Sequence, residues 1–146
     1  MHRLIYTSSA RTLLNDGTLR QILDAAHRNN ERDGISGLLI YHEGCFLQLI
    51  EGERQAVETC FRRIKQDPRH TGCIVLSEEP VSSRMFGDWR MTFQTHRDLT
   101  GLQKKQFVDL RAVADSLSNG DLRQHPKTQA ILLAFLSTFR DLDVAI

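Results

Sequence analysis

Two apolar runs set almost back to back constrain this chain most: Ile35-Ser-Gly-Leu-Leu-Ile-Tyr41 and Cys45-Phe-Leu-Gln-Leu-Ile50, joined by His42-Glu43-Gly44. Turn-forming residues between two such runs spell a β-hairpin. A strand with one wet face shows a polar residue at every second site, and neither run does. Both faces of the sheet must therefore be covered.

The flanking segments supply the covers. Leu4-Ile5-Tyr6 is a β-prone run ending in the turn-forming Ser8-Ser9, and it is read as strand one. Asp16 or Thr18 can cap a helix with Leu19, Ile22, Leu23 and Ala26 on one face and Asn29-Asn30 at its end. A second helix presents Val57, Cys60, Phe61 and Ile64 and stops near Asp67-Pro68, where proline cannot continue it. Strands from Cys73 to Ser77 and from Trp89 to Gln94 follow. The order β-α-β-β-α-β-β is α+β and contains the ferredoxin-like sandwich pattern, here expected as a five-stranded mixed sheet with two helices on one face. C-terminal helices are expected on the other. One carries Phe107, Leu110, Ala114 and Leu117, the next Leu132, Phe135, Leu136 and Phe139, with Gly120 and Pro126 in the break. The sheet with its two helices is expected as one unit and the C-terminal helices as an extension of it.

With 19 Lys and Arg against 18 Asp and Glu, the chain carries a formal charge of only +1, too little for a field that recruits nucleic acid or an anionic membrane. Arg62, Arg63, Lys65, Arg69 and His70 form a local basic stretch, either a solvated helix face or a phosphate-binding edge. Cys45, Cys60 and Cys73 are odd in number and lack CxxC spacing, so they read as reduced residues of a cytoplasmic protein. No leader sequence and no membrane-spanning apolar segment is expected. The glycine motifs of nucleotide enzymes, the serine elbow and metal-spaced histidine pairs are absent, so neither an enzyme nor a metal site is expected.

Polarity inside the hairpin is the informative feature. Phe46, Gln48 and Ile50 share one strand face. A buried Gln48 must satisfy both ends of its amide, or it destabilises the fold by about 1–3 kcal/mol. Tyr6 carries a phenol with the same need. On residue chemistry alone, a Tyr–Gln core pair and a ligand site are both open readings. Asn29 and Asn30 could likewise serve only to end a helix.

Taken in order, Arg3-Leu-Ile-Tyr6-Thr-Ser8, Arg28-Asn29-Asn30, Gly34-Ile-Ser-Gly37-Leu-Leu, Phe46-Leu-Gln48 with Glu51-Gly52, Asp67-Pro-Arg-His70 and Trp89-Arg-Met91 resemble the BLUF family, sensors of blue light using flavin. The resemblance covers residues 1 to 97 and the short stand-alone type. It implies a flavin held between the two helices on one sheet face, FAD by preference, with FMN and riboflavin sharing the same ring. It makes Tyr6 the light-driven electron and proton donor, and Gln48 the amide between that phenol and the ring. Asn30, helped by Asn29, holds the pyrimidine edge, and Ile22 and Phe46 pack on the ring. Ser8 joins the cofactor-binding set, and Arg63 and His70 face the polar tail or rim. Trp89 and Met91, on one face of strand five, become the relay to the surface. The residues after 97 match no output enzyme or DNA-binding module, so the implied output is through homo-oligomer contacts and an unidentified protein partner. The alternative from another class is a ferredoxin-like RNA-binding module, which would need an exposed sheet face with basic and aromatic residues.

Overall fold

The computed structural model of the chain describes residues 1–12, 15–42, 44–85, 91–94 and 125–138. Its elements run β1 (His2–Ala10), α1 (Asp16–Asp33), β2 (Ser36–His42), β3 (Cys45–Gly52), α2 (Arg54–Gln66), β4 (His70–Pro80), β5 (Met91–Gln94) and α3 (Pro126–Thr138). This is an α+β fold. Its antiparallel strands stand in the order β4-β1-β3-β2, and β5 joins the outer edge of β2 in parallel.

The register divides the residues between two faces. Tyr6 pairs with Gln48 and Gln48 with Leu39, so these three share a row. Leu4, Tyr6 and Ile50 meet Val57, Cys60 and Phe61 of α2 in one core cluster. Leu39, Tyr41 and Phe46 meet Ile22 of α1 in another. Both helices therefore lie on the Gln48 face. Ile5, Leu38, Ile40, Leu47 and Leu49 alternate to the back face and are 0–1% exposed, so that face is covered too, as the runs without polar alternation require. On it, Arg3 Nη1 lies 3.4 Å from His125 Nδ1, just before α3.

Several boundaries differ from the sequence reading. Ser8 and Ser9 do not turn the chain: they pair with Phe46 and Cys45, and β1 continues to Ala10. Sheet pairing outweighs the turn preference of serine when a long partner strand is alongside. Neither Asp16 nor Thr18 caps α1. Asn15 does, its side chain accepting from the Thr18 amide. Asn29 and Asn30 lie inside α1, which ends at Gly34 with φ 66°, a left-handed conformation that costs glycine nothing and closes the last carbonyls onto its N–H. β4 is longer than read, and its pairing with β1 shifts register between Ile5 and Tyr6 and between Thr7 and Ser9. Pro126 begins α3, where its missing N–H is harmless, and does not lie in a break. Trp89, Gly120, Phe139 and the stripe Phe107, Leu110, Ala114 and Leu117 lie outside the described residues.

Candidate functional site

The open spacing between α1 and α2 leaves a cleft over the sheet, lined by Tyr6, Ser8, Ile22, Asn29, Asn30, Phe46, Gln48, Arg63 and His70, all expected at a site, together with Ala25, Ala26, Leu39, Cys60, Ile64, Asp67 and Arg69. Its volume is about 720 Å³ with the open mouth included. The α1 contribution follows from helical period. Ile22, Ala25, Ala26, Asn29 and Asn30 recur at three- and four-residue steps, so the two asparagines stand above two alanines small enough to leave room.

At the floor, the Tyr6 hydroxyl donates to Gln48 Oε1 at 2.5 Å. Both residues are nearly inaccessible, at 2% and 4% exposure. Burial, with the Cys73 and Cys60 thiols adding to it, pushes the phenol well above its ordinary pKa, so Tyr6 is held protonated. Phe61 packs against its ring with centroids 5.1 Å apart. With Oε1 taken by the phenol, the Gln48 amide turns its donor end elsewhere.

Polar atoms without partners mark the cleft as a place for a ligand. Asn30 Nδ2 and Ser8 Oγ are buried and make no hydrogen bond within the protein. A buried donor left unmatched costs about 1–3 kcal/mol, which a bound polar edge would return. Leu39, Phe46, Ile22 and Ile64 give the same cleft apolar walls. An isoalloxazine ring, apolar in body and edged with donors and acceptors, fits this lining.

The rim is charged. Arg63 donates to Asp33 at 2.7 Å, and the hydrogen bonds from Arg32 first and Arg63 second lower the pKa of the Asp33 carboxyl to about 2. Arg69 folds back on Asp67, and their hydrogen bonds hold that carboxyl below its usual value. His70 stands edge-on to Phe46 with centroids 5.9 Å apart, and burial lowers its pKa. Of the basic stretch, Arg63, Arg69 and His70 face the cleft, while Arg62 and Lys65 are exposed.

Ala25, Ala26, Leu39, Cys60, Ile64, Asp67 and Arg69 were not among the site residues expected from sequence. Asp67 and Arg69 lay in a motif segment; the others looked like helix or strand filling. In β5, Met91 pairs with Leu38 and Thr92 with Leu39. Among the described residues no group of three His, Cys, Asp or Glu side chains could hold a metal ion. No described helix is long and apolar enough to cross a membrane.

Comparison with known proteins matches the same architecture. Residues 1–92 match the family model described as BLUF, sensors of blue-light using FAD. The beta subunit of the photoactivated adenylate cyclase of Euglena gracilis is 34% identical over 121 residues, spanning 82% of this chain and 14% of that protein. The alpha subunit from the same organism is 38% identical over 94 residues, 62% of this chain and 9% of the relative. Among solved structures, dark-state BlrB, a BLUF protein, superposes with TM-score 0.63 at 32% identity, covering 88% of this chain and 95% of its own. A bacterial light-regulated adenylyl cyclase gives TM-score 0.63 at 28% identity, covering 97% and 35%. None of these supports the RNA-binding alternative. The chain belongs to the BLUF family and is a flavin-based sensor of blue light.

Proposed function

We propose that this sensor holds FAD in the α1–α2 cleft and that Tyr6 and Gln48 turn light absorption into a new pattern of hydrogen bonds there. The buried Tyr6–Gln48 contact at 2.5 Å, on the floor of a cleft with unmatched polar atoms, carries the reading. The flavin held there would supply blue-light absorption and an acceptor for an electron and a proton. Tyr6 is their source, because its phenol is kept protonated and within reach of one amide. Gln48 accepts from that phenol in the dark and rearranges when the proton leaves and returns. Asn30 and Asn29 hold the pyrimidine edge, Ile22 and Phe46 the ring faces, and Ser8 a polar edge. Arg63 and His70 attend the tail or rim. The family's description, sensors of blue-light using FAD, supports FAD over FMN or riboflavin.

The finer architecture belongs to the same reading. The order β4-β1-β3-β2, with β5 in parallel at the edge, fits a five-stranded ferredoxin-like sheet. Residues 1–97 are the sensor and residues 98–146 a helical cover for the back face, a placement supported by the Arg3–His125 contact. Trp89 and Met91 remain the proposed relay. The output is contact with other protein in the cytoplasm. Homo-oligomer formation is supported by Ile74, Val75 and Leu76, 62%, 43% and 42% exposed on the edge strand β4. The chain spans only 14% of its cyclase relative, and cyclase activity is not proposed for it.

The test is spectroscopic. The purified protein is expected to be yellow and to shift its flavin absorption reversibly to the red under blue light. Tyr6→Phe should keep the flavin and lose the shift, since it removes only the phenolic hydroxyl. A colourless protein would overturn the flavin reading, and a normal shift in Tyr6→Phe would overturn the role of Tyr6.

A further inference from the structure

Cys60 meets Asn30 across the inner end of the cleft. The two side chains come from α2 and α1, are 4% and 2% exposed, and line the same space. Cys60 Sγ donates to Asn30 Oδ1 at 3.7 Å, while Asn30 Nδ2 has no partner in the protein. A carboxamide can turn half a revolution and exchange its acceptor for its donor, so the partner of one end decides what the other end offers. A thiol is a donor, although a weak one. It satisfies the oxygen and leaves the nitrogen unmatched.

We propose that Cys60 is a positioning residue of the photoreceptor: its S–H holds the Asn30 carboxamide with its nitrogen toward the cleft, so that the site grips the flavin by donating to a ring carbonyl oxygen. This rests on the flavin reading of the cleft and adds to it the polarity of one contact and the residue that sets it. If Cys60 only filled space, alanine would do nearly as well, and the ring carbonyls would not register the change. If it sets the amide, Cys60→Ala frees Asn30 to turn, and the carbonyl loses its donor for part of the time.

The experiment compares the flavin-loaded parent with Cys60→Ala and Cys60→Ser by infrared spectroscopy of the ring carbonyls and by flavin titration. Cys60→Ala should move a carbonyl stretching band to higher wavenumber, as a weaker hydrogen bond requires, and raise the flavin dissociation constant about fivefold, as expected for one lost contact. Cys60→Ser, which retains a donor, should return the band toward the parent position. Carbonyl bands in Cys60→Ala identical to the parent's would overturn the proposal. Should neither variant fold, the S–H stretching band of the parent decides: a hydrogen-bonded thiol assigned to Cys60 supports the contact, and a free thiol overturns it. A parent that binds no flavin would overturn the flavin reading and with it the ligand named here, while the S–H band still reports on the Cys60–Asn30 contact.

Discussion

Asn30 shows how one residue can belong to a helix and to a site at once. Its backbone carbonyl accepts from the Gly34 and Ile35 amides and helps close α1, while its side chain turns into the cleft. Asn30→Ala leaves the backbone part intact and removes the unmatched donor. It should weaken flavin retention by roughly tenfold, the effect of one hydrogen bond in a site with little water. The ratio of flavin to protein absorbance after gel filtration measures this, and an unchanged ratio would reduce Asn30 to a structural residue. His70 allows a second test, by pH. Burial lowers its folded pKa below the ordinary 6.5, with Asp67 partly opposing. Between the folded value and 6.5, the unfolded chain takes up the proton first, so stability from a neutral His70 is present above about 6.5 and declines as the pH falls through that window. Thermal unfolding from about pH 8 to pH 5 should therefore fall less steeply in His70→Gln than in the parent. Parallel curves would show that His70 does not contribute.

At the scale of elements, the join between α1 and β2 is tightly packed against β3. A Cβ on Gly52 would lie 2.9 Å from the Gly34 carbonyl oxygen and 3.0 Å from Ile35 Cδ1. That carbonyl is already held by Arg84 Nη2 at 2.7 Å and cannot easily withdraw. Gly52→Ala should destabilise the fold by about 1–3 kcal/mol, as overpacking does, and denaturant unfolding would measure it. A loss under about 0.5 kcal/mol would mean that the join can shift freely. The hairpin of β2 and β3 was legible in the sequence because its residues lack polar alternation, and α2 because its stripe stops at a proline. The ends of β1 and α1 were not. Ser8-Ser9 and Asn29-Asn30 have local preferences for turns and helix ends, and those preferences yield where a partner strand or a glycine four residues further on offers a better ending. The site was legible where a polar residue fell in an apolar strand, as with Gln48. Ala25, Ala26 and Cys60 escaped notice because their value is spatial: small side chains make a cleft only when two helices are seen together.

Across the whole molecule, one carboxylate joins parts that are distant in sequence. β3 stands between β1 and β2, with Gln48 on the cleft face and Glu51, fully buried, on the back. Glu51 Oε2 accepts from Arg3 Nε at 3.2 Å and from the Met85 amide at 3.1 Å, and Oε1 accepts from Ser36 Oγ at 3.5 Å. Arg3 in turn reaches His125 ahead of α3. An exposed pair such as Arg54–Glu58, at 76% and 43% side-chain exposure, contributes little, because water screens both partners. The Arg3–Glu51 pair is 1% and 0% exposed, and removing one partner leaves the other charged in a place water does not reach. Glu51→Ala should therefore cost about 3–5 kcal/mol, whereas Arg54→Ala should cost far less. The position of Arg3 adds a sharper expectation. Without Glu51 the guanidinium has reason to move toward water, and His125 loses its partner on the sheet. Amide exchange should then quicken in α3 as well as in β1 and β2, although Glu51 lies more than seventy residues before α3 in the sequence. If exchange quickened in β1 and β2 alone, the C-terminal segment would be held by other contacts, and movement of β3 would have no path through Arg3 to it. If α3 responds, the strand that carries Gln48 is mechanically joined to the back of the molecule through Arg3 and His125.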